Sequence, residues 1–147
     1  MKKSFFSVVA SGCLLIAGAV VNLNAQSPDT TVRASIPFDF IVNGKQLPAG
    51  NYQLKRLGDE PTTMIVRNID DSHAFAVFLT EPNTARTIPR RSELVFDHLG
   101  DSYFLSRIWD AGEQTGRLLP ASRQERRMER EVASNGHTSD TVVVALN

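Results

Sequence analysis

Apolar and polar residues alternate in short runs along this chain, and the pattern predicts a protein built mainly of β-strands. The longest alternating run extends from Val32 to Val42, with an apolar residue at every second position. Alternation with a period of two places one side of a strand against a core. Pro37 lies within this run and has no amide hydrogen, so we expect the strand to follow a sheet edge or to bend there.

Turn signals divide the remaining sequence into further short strands. Asn43-Gly44 and Gly100-Asp101 are typical of tight turns between neighbouring strands. Residues 74–80 are apolar on both faces, which predicts a central strand covered on both sides. Residues 82–91 are expected to form the longest irregular loop. The predicted strands after Val42 cover residues 51–57, 62–69, 74–80, 93–99, 103–109 and 141–146.

A change of pattern near the C-terminus predicts one helix. Ser122 and Glu125 have the spacing of a capping box, in which both side chains accept hydrogen bonds from free amides at a helix start. We therefore predict a helix at about 121–134. Its apolar stripe is thin, with Met128 and Val132 as its main members, and this indicates a helix on the surface.

The valine-rich residues 141–146 follow this helix and are expected to rejoin the sheet as a final strand. Left unpaired, such a run would favour aggregation. Many short strands with short connections are typical of an antiparallel β-sandwich or a small barrel. The sequence therefore predicts an all-β fold of one of these two types, with one C-terminal surface helix.

The first 25 residues have the layout of a secretory signal peptide. Lys2 and Lys3 precede an uncharged apolar run over residues 5–21, and Ala25 ends a short polar break. The apolar run has 17 residues, whereas a membrane-spanning helix needs about 20. We therefore expect residues 1–25 to be removed and residues 26–147 to form a single β-rich domain.

Removal of this leader changes the composition of the chain. The mature protein would contain no cysteine, because Cys13 is the only one. Its 16 basic residues would fall to 14 against 16 acidic ones, and this balance argues against nucleic-acid binding. We expect a protein in the periplasm or outside the cell, without disulfides and without stable membrane insertion.

The sequence contains no motif that indicates an enzyme, a metal or a cofactor. His73, His98 and His137 lie far apart and are expected to be surface residues. A Ser-His-Asp hydrolase would be the natural enzyme hypothesis, but a Gly-x-Ser-x-Gly sequence is lacking. The expected function is a non-catalytic binding or structural module. A small-ligand carrier or small hydrolase built on a β-barrel remains the alternative.

Two groups of residues are candidates for contact with a partner. In the strand at 103–109, one face should carry Tyr103, Leu105, Arg107 and Trp109. Tyrosine, arginine and tryptophan together are typical of binding hot spots, and they are equally typical of a core strand. The arginines of the helix alternate with glutamates, and pairs such as Arg127 with Glu131 favour a solvated surface. The candidate contact residues are Tyr103, Arg107, Trp109, Arg117, Arg126, Arg127 and Arg130. The expected partner is an unknown protein or another envelope component.

Four stretches of the chain carry a resemblance to other proteins. They cover residues 36–42, 47–52, 100–109 and 116–123. In these stretches the chain resembles a group of short exported bacterial proteins without an assigned activity, and the resemblance implies no mechanism. The Leu-Pro-Ala-Gly-x-Tyr turn at 47–52 alone is similar to a turn of prealbumin-like sandwich modules.

Overall fold

The computed structural model describes residues 31–136 and 138–146. The predicted signal peptide and His137 lie outside the described residues. The described elements are β1 (Val32–Ile36), β2 (Phe40–Val42), β3 (Lys45–Leu47), β4 (Gly50–Arg56), β5 (Thr63–Asn68), β6 (Phe75–Leu79), β7 (Glu81–Thr84), β8 (Glu93–Leu99), β9 (Ser102–Trp109), β10 (Thr115–Leu118), α1 (Arg123–Ser134) and β11 (Asp140–Ala145).

These strands form two sheets, and the predicted all-β fold with one C-terminal helix is confirmed. The smaller sheet has the order β1-β4-β5-β6, and the larger has the order β11-β8-β9-β10-β7 with β2 and β3 attached at β9. All pairings among the described strands are antiparallel except one, in which Ile41 of β2 lies beside Phe104 of β9. The arrangement is sandwich-like.

The inward faces of the two sheets meet in one main core. Phe40, Tyr52 and Phe96 lie at its centre and are almost completely buried. The ring of Phe40 meets those of Tyr52 and Phe96 edge to face, with centroids 5.0 and 5.5 Å apart. This is the favoured arrangement for aromatic pairs, and it joins β2, β4 and β8 across the sandwich.

The long alternating run at the start of the domain crosses from one sheet to the other. It is divided into β1 and β2 by the segment from Pro37 to Asp39. β1 is an edge strand of the smaller sheet, whereas β2 belongs to the larger one. The predicted bend at Pro37 is confirmed. The Asp39 carboxylate accepts a hydrogen bond of 2.8 Å from the Ala49 amide and so links this crossing to the next turn.

The prediction that residues 74–80 form a covered central strand is wrong. β6 is the edge strand of the smaller sheet. Ala76 and Phe78 face the core, whereas Phe75, Val77 and Leu79 are 37, 40 and 62% exposed. Apolar residues on both faces favour coverage on both sides, but the outer side chains of β6 remain exposed, with the Lys45 and Arg67 side chains over the Phe75 ring.

The expected loop at residues 82–91 is also partly wrong, because β7 occupies its beginning. β7 pairs antiparallel with β10, so that Thr84 lies opposite Thr115 at one end and Glu81 lies opposite Leu118 at the other. Neither strand has the alternating pattern that predicts a half-buried strand, so the pairing between distant segments determines their conformation.

The C-terminal elements agree with their predictions. The Ser122 hydroxyl accepts a 3.1 Å hydrogen bond from the Glu125 amide, and the Glu125 carboxylate accepts one of 3.2 Å from the Ser122 amide. Met128 and Val132 of α1 pack on a small second cluster at the larger sheet. The final strand, β11, pairs with β8 along its full length.

Candidate binding surface

A β-bulge in β9 changes the predicted arrangement of the contact residues. Val95 pairs with Arg107 and Phe96 with Leu105, which leaves Ser106 without a partner in the register. The Ser106 hydroxyl instead donates a 3.1 Å hydrogen bond to the Val95 carbonyl. One extra residue reverses the direction of every side chain beyond it.

As a result, the predicted single face of β9 does not exist. Leu105 and Ile108 both enter the main core, although the alternation places them on opposite faces. Because directly paired residues share a face, Tyr103 lies on the core side with His98, whereas Arg107 lies on the outer side with Val95.

Tyr103 is occupied by contacts within the molecule. Its ring stacks on that of Phe38 at 4.1 Å and on that of His98 at 4.3 Å. Phe38 also meets Phe96 edge to face at 5.2 Å. This aromatic stack closes one end of the core, so it explains Tyr103 as a structural residue.

Arg107 and Arg117 each form an ion pair within the larger sheet. The Arg107 guanidinium lies 3.0 Å from the Asp97 carboxylate, and that of Arg117 lies 2.8 Å from Asp110. All four side chains are 25 to 34% exposed. A partner that used either arginine would have to compete with its carboxylate.

Trp109 lies directly over the backbone of the neighbouring strand. A Cβ atom built on Gly116 would lie 2.2 Å from Cε3 of the Trp109 ring and 2.7 Å from the Ile108 carbonyl oxygen. Only glycine permits so close an approach. The tryptophan therefore packs on its own sheet and is half-buried.

The three helix arginines remain exposed. Arg127 forms the predicted pair with Glu131 at 3.3 Å, while Arg126 donates to the Ala121 carbonyl and Arg130 to the Arg126 carbonyl. Exposed pairs of this kind contribute little stability. The seven predicted contact residues are thus divided between both faces of the larger sheet and the solvent side of α1, and they do not form one site.

The outer face of β6 is the most distinctive surface of the described chain. We call the exposed side chains of Phe75, Val77 and Leu79, together with the open backbone edge of β6, the β6 surface. Sequence reasoning missed it because apolar residues on both faces indicate a covered strand as readily as an exposed apolar edge.

The backbone of β6 is open on the side away from β5. Hydrogen bonds join the Asn68 amide to the Ala74 carbonyl and the Thr80 amide to the Thr62 carbonyl, each at 2.8 Å. In an antiparallel pair the bonded residues alternate. Ala76 and Phe78 are therefore bonded to β5, whereas the amide and carbonyl groups of Val77 and Leu79 point away from it. Within the described ranges, β6 has no strand on that side.

Two cationic side chains lie over Phe75, at one end of the β6 surface. The Lys45 ammonium lies 4.5 Å from the centroid of the Phe75 ring, and the Arg67 guanidinium carbon lies 5.9 Å from it. The outward positions of the smaller sheet include three cations and no acidic residue. The outward positions are Arg33, Ser35, Asn51, Gln53, Lys55, Thr63, Ile65, Arg67, Phe75, Val77 and Leu79.

A small, partly open cavity lies beside β6. Its volume is about 160 Å³. β9 changes its partner here, from β2 at Phe104 to β10 at Arg107. The lining residues are Asn43, Phe78, Leu79, Leu105, Leu119, Pro120 and Glu125.

Glu125 supplies the acidic wall of this cavity and is 7% exposed. Burial raises the pKa of its carboxyl group, and the hydrogen bond from the Ser122 amide partly opposes this effect. Since the carboxyl group completes the capping box of α1, its burial is explained by the helix start.

In the described residues, no helix is long and apolar enough to cross a membrane. The same residues contain no group of three or more His, Cys, Asp or Glu side chains that could hold a metal ion. Comparison with protein-family models, curated proteins and solved structures found no match to this chain. Its own geometry is therefore the basis for a functional proposal.

Proposed function

We propose that this chain is an exported, non-catalytic binding module that contacts its partner through the β6 surface. The observation that supports this proposal is an edge strand whose outward side chains are all apolar and whose backbone is open. The partner is an extracytoplasmic protein or another envelope component, and the mature chain begins near Gln26.

An open apolar edge is a feature that soluble proteins usually avoid. Edge strands are commonly protected by charged residues, proline or a bulge, because unpaired backbone groups attract other strands. β6 has none of these between Phe75 and Leu79. Contiguous exposed apolar surface of this kind is typical of an interaction site.

The ionisable groups with displaced pKa values support a non-catalytic role. Burial raises the pKa of Tyr52, whose hydroxyl donates a 2.6 Å hydrogen bond to the Pro48 carbonyl. Burial also raises the pKa of Glu125, which caps α1. Both groups stabilise local structure, and His98 is stacked on Tyr103 rather than paired with a serine and a carboxylate.

The cavity beside β6 is smaller than a typical small-molecule site. Small-molecule sites usually enclose about 300 to 1,000 Å³. The cavity of about 160 Å³ is large enough for one side chain. Because Leu79 of β6 lines it, the cavity adjoins the proposed contact surface.

Site-specific photo-crosslinking tests the proposal. A benzophenone amino acid at Leu79 should form an adduct in intact cells, whereas the same probe at Val143 should not. Val143 is a matched control, because it is an apolar residue on the edge strand β11 and is 50% exposed. The Leu79 adduct should disappear when Val77→Lys is added. Equal crosslinking from both positions would contradict the proposal.

A further inference from the structure

We propose that the β6 surface and the adjacent cavity form one strand-addition site for an acidic, extended chain segment. The segment pairs antiparallel with β6 and places one large apolar side chain in the cavity. This inference rests on the proposed function and specifies the partner.

The backbone of β6 determines the conformation of the segment. Val77 and Leu79 present their amide and carbonyl groups to the open side, as the bonding pattern with β5 requires. A strand that pairs antiparallel can exchange hydrogen bonds with both residues. Recognition by strand addition takes its affinity from such main-chain bonds and its specificity from pockets for alternate side chains.

The cavity determines which residue of the segment serves as the anchor. A residue paired with Phe78 would point inward, because Phe78 itself faces the core. The cavity beside Phe78 measures about 160 Å³; Leu105 and Leu119 form its apolar part, and Asn43 and Glu125 form its polar part. By volume alone, a cavity of about 150 Å³ is large enough for a benzene molecule. A leucine-sized anchor therefore fits this space.

The outer face determines the charge of the segment. A residue paired with Phe75 would point outward, near the Phe75 ring and the Lys45 and Arg67 side chains that lie over it. An acidic side chain at this position meets two cations and no acid of the sheet. Residues paired with Val77 and Leu79 would lie beside apolar side chains, so small apolar residues suit them.

A second copy of this chain does not meet these requirements. If its β6 were paired with the first, its inward residues Ala76 and Phe78 would already be buried in its own core. Neither residue could enter the cavity of the first copy. Such a pairing would also bring two cationic sheets side by side.

A capped synthetic peptide with the core Val-Leu-Val-Ser-Glu provides the probe. In the antiparallel register its residues lie opposite Leu79, Phe78, Val77, Ala76 and Phe75, in that order. We expect it to bind the mature protein in a fluorescence anisotropy titration. N-methylation of both valines removes the amide hydrogens that would bond to β6, and it should weaken binding at least about tenfold.

Changes to the peptide leucine and to the peptide glutamate test the cavity contact and the charge contact. Replacing the peptide leucine by alanine should weaken binding at least about tenfold. The loss of even one methylene group from an apolar pocket weakens binding by about this factor. Replacing the glutamate by lysine should also weaken it. In the protein, Leu119→Phe should fill the cavity and reduce binding, whereas Val143→Lys should not. The peptide variants test the site even if Leu119→Phe fails to fold.

The outcomes separate this inference from the broader proposal. Equal binding of the N-methylated and parent peptides, or no binding of either, would overturn strand addition. If β6 crosslinks nevertheless persist in cells, the proposed function survives. A β6-mediated dimer in analytical ultracentrifugation that excludes the peptide would assign the edge to a second copy and would also overturn the inference.

Discussion

Two valine-to-alanine substitutions measure how differently the two faces of the smaller sheet contribute to stability. Val66 on β5 is completely buried, whereas Val77 on β6 is 40% exposed. The two side chains are identical, and both lie in strands of the same sheet. Val66→Ala and Val77→Ala therefore remove the same atoms from opposite faces.

The expected losses follow from burial. Val66→Ala removes two methyl-sized groups from the core, about 1.6 kcal/mol by transfer at about 0.8 kcal/mol for each. The cavity that remains increases the cost, so we expect about 2–3 kcal/mol in total. At Val77 the side chain already contacts water, and the substitution leaves no closed cavity. There we expect a loss below about 1 kcal/mol.

Urea denaturation followed by circular dichroism gives the free energy of unfolding of each variant. The difference between Val66→Ala and Val77→Ala should be at least about 1 kcal/mol, larger than the usual uncertainty of a comparison at constant slope. Equal losses would show that the outer side of β6 is covered in solution, and the β6 surface would then not exist in the free protein.

Three further substitutions test other parts of the structure. Gly116→Ala should lower the free energy of unfolding by about 1–3 kcal/mol, because its Cβ would collide with Trp109 and the Ile108 carbonyl; an unchanged denaturation midpoint would contradict this contact. Tyr52→Phe should cost about 1 kcal/mol in the same assay, because the 2.6 Å bond to Pro48 is lost, and a neutral effect would contradict it. Glu125 has a raised pKa in the folded state, so its contribution to wild-type stability should decline as the pH rises above its ordinary value of 4.5. Glu125→Gln keeps the capping box and should remove that decline in pH-dependent denaturation; an unchanged slope would mean that Glu125 is not its source.

Local signals in the sequence predict most of the elements but not all of their neighbours. The capping box at Ser122 and the glycine turn at Gly100 identify α1 and the β8–β9 hairpin, because their hydrogen bonds join residues close in sequence. β7 and β10 are polar and irregular, and only their mutual pairing makes them strands. Such distant pairing leaves no local pattern.

The candidate surface depends on two facts that the sequence alone does not reveal. The bulge at Ser106 has no marker in the sequence of β9, and it changes which residues of that strand reach the core. The position of β6 at the edge decides whether Val77 is covered or exposed. Both follow from strand order and register, which are properties of the assembled sheets.

Amide hydrogen exchange of β6, followed by NMR, tests the central claim most directly. In the free mature protein, the amides of Val77 and Leu79 should exchange rapidly, whereas those of Ala76 and Phe78 should be protected by β5. Addition of the Val-Leu-Val-Ser-Glu peptide should protect Val77 and Leu79 as well. Protection of these two amides in the free protein, or their continued rapid exchange at saturating peptide, would contradict an open edge that binds an extended segment.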